Sequence, residues 1–347
     1  MFLSTEKQEL KINLVETESN VEQESLISAI CLQLSDFCAA RLECLSLYIQ
    51  MYKSTLSSPL HTLCSEVEVL LESYPAKISH DCLKRIQDCV TEELTVLLAL
   101  LQAGQKISEW NYTGALYDMD EAHEVLVRWK PLVMNHQGST FRGSFFSFGE
   151  KSSTPASGLY LWMEKFFQTL KSRFTFYFYE ALSTSGSADE LKQILSRVKY
   201  DFVTKSMSHI KRNDFQQLLL VLDTKGNDMP PQVGYSFPTL SDSPPTASSA
   251  GDYSVVLNLP PACNVQPVFS LINDKMDELK QEKIVYYSSV ETSKTYFCAQ
   301  ADQKIFIVLV CGGYRNEKDS NLIVYFNEVL NNLKLKKIAL LLKPGNR

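Results

Sequence analysis

Residues 159–182 read LYLWMEKFFQTLKSRFTFYFYEAL, the densest run of large aromatic side chains in the sequence. At helical spacing Leu159, Met163, Phe166, Leu170, Phe174 and Tyr177 share one stripe, while Glu164, Gln168, Lys171 and Thr175 share the opposite one. Toward the end the polar stripe disappears. Phe174, Phe176, Tyr177, Phe178 and Tyr179 surround the axis there, so the last turns are expected to be buried on nearly every side. An aromatic helix over 159–184 of this kind belongs between two bodies that both pack on it.

The 347 residues are enough for two domains, and 45% hydrophobic with 21% charged residues is an ordinary globular balance that argues against global disorder. A net charge of -6 with no concentrated basic face argues against a nucleic-acid partner. The nine cysteines form no CxxC pair and are odd in number, which fits neither a zinc site nor a closed disulfide framework. Cys31, Cys38, Cys44, Cys82 and Cys89 lie in helical apolar patterns and are expected to act as small core hydrophobes. The first residues lack a basic segment followed by an apolar one, and no apolar run approaches the ~20 residues of a membrane span, so a cytosolic protein is expected.

Upstream of the aromatic helix, residues 1–20 are polar and weakly patterned and are expected to form a flexible N-terminus. A helical bundle is expected over 21–185. Its first helix starts at Asn20 as N-cap and carries Ile27, Ile30, Leu34, Phe37, Leu45, Tyr48 and Tyr52. Arg41 falls on the same stripe, either as a snorkelling stem or as half of a buried pair at a subunit contact. A second helix from about Leu60 carries Leu63, Val67, Leu70 and Leu71 and stops at Pro75. A third from about Asp81 to Trp110 carries Leu83, Ile86, Val90, Leu94, Leu97 and Leu101; a fourth carries Leu116, Met119, Leu126, Trp129 and Val133. Short connections favour antiparallel neighbours, hence an up-and-down bundle. His123 and Glu124, with either of which Asp120 could pair, read as a solvated face, not a metal pair. Residues 136–158, rich in Gly and Ser with Phe141, Phe145, Phe146 and Phe148 interspersed, read as a long loop whose aromatics either pack loosely on the bundle or contact a partner.

Downstream, Ser187-Ala188-Asp189-Glu190 is a capping box that opens a helical piece with Leu191, Ile194, Leu195 and Val198, continued by Phe202, Met207 and Ile210. Near Phe215 the period changes from 3.6 to 2. Leu218–Leu222 reads as a buried strand, and 224–252 as a Pro- and Ser-rich surface loop. Then follow a strand at Tyr253–Leu259, a helix at Val268–Leu279, strands at Lys283–Tyr287, Lys294–Ala299 and Ile305–Val310, and a helix at Asp319–Leu333. The order α-β-β-α-β-β-β-α over 187–347 matches Roadblock and longin modules, five-stranded antiparallel sheets with helices packed on them that serve as platforms around small GTPases. The fold class is α+β: an N-terminal antiparallel helical bundle followed by a Roadblock/longin-like α/β domain.

Chemistry leaves little trace. There is no GxxxxGK, GxGxxG, GxSxG or HExxH motif. Cys311-Gly312-Gly313-Tyr314-Arg315 comes nearest to a phosphate loop but lacks the Lys-Ser/Thr pair, and reads as a tight strand-to-helix turn. His61, His80, His136 and His209 stand apart from any Ser, Cys or carboxylate at catalytic spacing. No catalytic, cofactor-binding or metal-ligating residue is nominated, no cofactor is expected, and an enzyme is not the expected reading.

Five stretches carry a resemblance: Lys106-Ile107-Ser108-Glu109-Trp110, residues 159–183, Thr295-Tyr296-Phe297, KDSNLIVYFNEVL at 318–330, and LKPG at 342–345. Together, and in this order from about Leu26 to the end, they resemble the KICSTOR complex subunit 2 family. The resemblance implies a non-enzymatic subunit of a lysosome-associated scaffold, beside kaptin, an FG-GAP repeat protein and a very large linker subunit. That scaffold recruits the GATOR complex, which activates GTP hydrolysis by Rag GTPases, and so restrains TOR complex 1 during amino-acid or glucose shortage. Family members carry further residues ahead of the first helix, enough for one or two more bundle helices; the sequence here is a short form or a truncated gene model. The resemblance implies a cytoplasmic protein held at the lysosomal membrane through its partners, with self-association left open. The alternative is a Roadblock-type small-GTPase regulator or exchange platform that acts directly.

Overall fold

The computed structural model describes residues 2–54, 60–134, 158–213, 215–225, 252–260 and 265–343, without the side chains of 2–22 and Pro75. The expected loops at 136–158 and 224–252 therefore lie outside the described residues, apart from their ends. The first helix, α1 (Phe2–Ser54), begins far ahead of Asn20. The expected start there, and with it the separate N-terminal segment 1–20, gives way to continuous helix because no Gly or Pro lies between Phe2 and Ser54 to end it. α2 (Leu60–Ser73) stops ahead of Pro75 as the pre-proline restriction demands. Two short 3₁₀ turns lead into α3 (Lys84–Ser108), and α4 (Tyr112–Val133) follows after a turn. Asn111 caps α4 by accepting from the Gly114 amide at 2.9 Å. α3 is the centre of this half, packed along both α2 and α4. Leu116, expected on the inner side of α4, is exposed.

The aromatic stretch forms α5 (Gly158–Tyr177) and α6 (Tyr179–Ser185), split at Phe178, where φ is -101° and ψ 22°. One helix over 159–184 was expected. The break turns the Phe178 ring between Trp110, Tyr112 and Phe174, at centroid distances of 4.6, 5.1 and 4.8 Å. Every residue from Ser172 to Phe178 is buried, as the loss of the polar stripe predicts. Thr175, assigned to the polar face, is buried too and donates to the Ser172 carbonyl at 3.0 Å.

α7 (Ala188–Ser196) opens on the expected capping box: the Ser187 hydroxyl accepts from the Glu190 amide at 3.2 Å, and the Glu190 carboxylate accepts from the Ser187 amide at 2.8 Å. Its Leu191, Ile194 and Leu195 are not buried; only Val198 beyond it is. α8 (Phe202–Asn213) leads into the sheet, built from β1 (Phe215–Asp223), β2 (Tyr253–Leu259), β3 (Val285–Ser289), β4 (Lys294–Asp302) and β5 (Ile305–Gly312). The strand order is β2-β1-β5-β4-β3, with every neighbouring pair antiparallel. Between β2 and β3 the expected single helix is two, α9 (Gln266–Asp274) and α10 (Met276–Lys280), parted at Lys275. After β5 come α11 (Ser320–Leu333), capped by Asp319, and α12 (Lys336–Leu340), which the sequence did not announce.

Alternation along β1 explains its uninterrupted apolar run. Leu218, Leu220 and Leu222 join the core that holds the bundle helices, whereas Leu219 and Val221 join Phe269 and Ile272 of α9 on the opposite face. A strand covered on both sides needs no polar positions. The larger core is continuous from Cys44 and Leu63 through Leu100 and Phe166 to Leu220, Ile307 and Phe326, so the bundle and one face of the sheet share their apolar interior.

Candidate functional site

The junction of helices and sheet is centred on α5. Trp110 stacks on Tyr177 at 6.0 Å, and the Trp162 indole donates to the Ile338 carbonyl of α12 at 2.9 Å. Beside them Arg173, only 3% exposed, pairs with Asp302 at the end of β4 and donates to the Ser108 hydroxyl at 2.6 Å. The sequence signal for this pair is an arginine in the middle of an aromatic helix, a position the spacing of the apolar stripe does not single out. Burial raises the Tyr177 phenol pKa, with the nearby guanidinium pulling the other way.

Next to Arg173 a cavity of about 260 Å³ opens between α10, α12 and the β4–β5 turn. At its rim Glu282 accepts from Lys336 at 2.8 Å and Lys334 at 2.9 Å, and these two lysines pull the carboxyl down to about 2. Asp302 and Glu282 thus already occupy most of the cationic lining, leaving a structural clamp between α12 and the turn after α10.

The glycine turn after β5 is filled by its own chain. Gly313 has φ +69°, the left-handed conformation glycine favours, and the Arg315 guanidinium donates to the Asn213 carbonyl at 3.1 Å. The first amides of α11 are taken by Asp319, so no free anion cradle remains there. His123 is exposed and stacks on Phe167; His209 stacks on Tyr325 at 4.0 Å, and burial lowers its pKa. His80 is less isolated than its sequence neighbours suggested, since the Cys82 sulfur lies 2.9 Å from its Nδ1. That nitrogen also accepts from the Cys82 amide and caps the 3₁₀ turn, a structural duty. Among the described residues no group of three His, Cys, Asp or Glu side chains could hold a metal ion.

Of the cysteines expected inside, Cys44 is buried and Cys89 half-buried, but Cys31, Cys38 and Cys82 are exposed. Burial pushes the Cys44 thiol up to about 11 and those of Cys64 and Cys311 up to about 12, which keeps them unreactive. Arg41 meets both oxygens of Glu93 on α3 at 2.7 Å, and Tyr48 donates to the same carboxylate at 2.9 Å. Its pair is thus within the chain, partly buried, and ties α1 to α3. Above this tie α1 is bare: Leu26, Ile27, Leu32, Leu42 and Leu45 are 48–68% exposed. Within Gln23–Ser54 the helix is long and apolar enough, by length and composition alone, to cross a membrane, contrary to the expectation that no stretch approaches that.

The chain is similar to known proteins along almost its whole length. The family described as KICSTOR complex C12orf66 like matches residues 5–347. KICSTOR subunit 2 of Danio rerio is 28% identical over 333 residues, and that of Xenopus laevis 31% identical over 333 residues; each alignment covers 93% of this chain and 73% of the relative.

Proposed function

This chain belongs to the KICSTOR C12orf66-like family, and on that footing we propose that it is a non-catalytic scaffold subunit of a KICSTOR-like complex. Its relatives are complex subunits, and membership of such a complex is what the family supports. In the proposal, kaptin-like, FG-GAP repeat and large linker subunits are its partners. Together they bring the GATOR GTPase-activating complex to lysosomes and restrain TOR complex 1 when amino acids or glucose run short. The chain reaches the membrane through those partners. The observation that carries the reading is the near full-length family match, joined to a body whose charged clusters are consumed by internal ties such as Arg173–Asp302 and Glu282 with its two lysines.

The experiment is deletion of the gene in its native cells followed by amino-acid withdrawal. TOR output should stay high and the GATOR complex should fail to reach lysosomes. Normal shut-off, normal GATOR position and no scaffold subunit co-purifying with the tagged chain would together overturn the reading. A direct role on a small GTPase is the second reading, favoured by the sheet order β2-β1-β5-β4-β3 with its open edge strand β3 and the exposed Tyr287. Nucleotide exchange by the isolated chain would single it out.

A further inference from the structure

From the bare side of α1 we infer that two copies of this chain pair through their first helices, antiparallel, about a two-fold axis at Cys38. The residues that face the body are Ala40, Cys44, Leu47, Tyr48 and Met51, helped by Gln33, whose side chain accepts from the His80 amide at 2.9 Å. A second apolar stripe lies roughly a third of a turn away: Ile27, Cys31, Leu34, Cys38, Leu42, Leu45 and Ile49. Leu34 and Ile49 are half-buried and the other five exposed. The stripe is thus an unbroken apolar seam, most of it left open by the described chain.

Its spacing says what covers it. The steps run four, three, four, then four, three, four, which makes two eleven-residue repeats meeting at Cys38. An eleven-residue repeat keeps a seam facing its partner along a nearly straight helix with a slight right-handed supercoil. This suits a helix fastened to a rigid body by Arg41 and Gln33. The pattern also reads the same in both directions. Turned end for end, Ile27 meets Ile49, Cys31 meets Leu45, Leu34 meets Leu42, and Cys38 meets its own copy. Such self-complementarity is what a two-fold interface requires. Charge chooses the direction. Glu24 and Lys53 flank the seam on the same side and are both exposed. The antiparallel pairing brings each Lys53 beside the partner's Glu24, whereas a parallel pairing would set Glu24 against Glu24. A bilayer would have to accommodate Asp36 and Arg41 within the same stretch.

The test uses the full chain. Light scattering should give twice the 39.4 kDa mass of one chain. Leu42→Glu with Leu45→Glu, both at positions already exposed in the single chain, should return it to one folded copy whose melting temperature no longer rises with protein concentration. Lys53→Glu should weaken the dimer, and adding Glu24→Lys should restore it. A short bis-maleimide should cross-link the wild type and Cys31→Ser, but not Cys38→Ser. A single-copy mass, a dimer that survives both glutamates, or cross-linking that needs Cys31 would overturn the pairing. Flotation of the chain with phosphatidylcholine–phosphatidylserine vesicles, abolished by the two glutamates, would give the seam to a bilayer and overturn it as well.

Discussion

Arg173→Met tests whether the helical half and the sheet are held as one. The pair it breaks is deeply placed, with side-chain exposures of 3% for Arg173 and 14% for Asp302. Methionine keeps most of the stem volume, so the loss is mainly electrostatic. Removing one partner of a buried ion pair costs ~3–5 kcal/mol because the other charge is left uncompensated. Here the Gln303 amide at 3.0 Å and the Tyr177 hydroxyl at 3.5 Å still reach Asp302, which favours the lower end, about 3 kcal/mol. Adding Asp302→Asn removes the stranded charge and should recover a good part of that. Unfolding in urea can be followed by tryptophan fluorescence, since Trp110, Trp129 and Trp162 all lie in the helical half, and by amide hydrogen exchange along β1 and β5. With a shared interior the two probes lose the same free energy in Arg173→Met. If the fluorescence transition shifts while the strand amides keep their wild-type protection, the two halves are energetically separate and the reasoning fails.

Three further outcomes follow from the same contacts. Phe178→Ala or Phe174→Ala empties a cluster shared with Trp110 and Tyr112 and should cost ~3–5 kcal/mol, read as a lowered melting temperature or insoluble protein; an unchanged melt with lost partner binding would make these rings an interface instead. Glu282, ordinarily near 4.5 but held at about 2 by Lys336 and Lys334, contributes stability that is present above the ordinary value and lost as pH falls from about 4.5 toward about 2. Melting temperature against pH should show that loss, and Lys336→Ala should shrink it; an identical profile in the variant refutes the clamp. Iodoacetamide followed by peptide mapping should label Cys82 in the folded chain, Cys31 and Cys38 as well once Leu42→Glu with Leu45→Glu separates the copies, and should spare Cys44, Cys64, Cys298 and Cys311 until it unfolds. Early labelling of Cys298, fully buried on β4, would contradict the burial described.

The order of strands after Phe215 was legible because each strand carries a run of apolar residues bounded by polar turns, and the starts of α7 and α11 because Ser187 and Asp319 announce their helices. The all-round burial at the end of α5 was legible from five aromatics in six positions. What stayed hidden depends on neighbours far away in the chain. The bend at Phe178 answers to Trp110 and Tyr112, and Arg173 is buried because Asp302 comes to meet it. α12 begins at a left-handed Leu335, φ 60°, a conformation with no glycine to mark it, and is held by Trp162.

α1 shows why a single-stripe reading breaks down. Helical spacing puts Ile27, Ile30, Leu34, Phe37, Leu45, Tyr48 and Tyr52 on one expected inner face, yet Tyr48 is buried against Glu93 while Ile27 and Leu45 are among the most exposed apolar residues. Those seven positions mix two stripes, the one that packs on α2 and α3 and the one centred on Cys38. A helix with one dry face has a strong amphipathic signature; a helix with two apolar faces turned in different directions cancels much of it and leaves the polar residues confined to a narrow band. The physical requirement is the same for both stripes, since leucine and isoleucine gain about 1.5–3 kcal/mol each on full burial and are costly to leave in water in a row. The first stripe meets that requirement inside the chain. Among the described residues most of the second stays uncovered, and a seam that reads alike from either end is met most completely by its own copy.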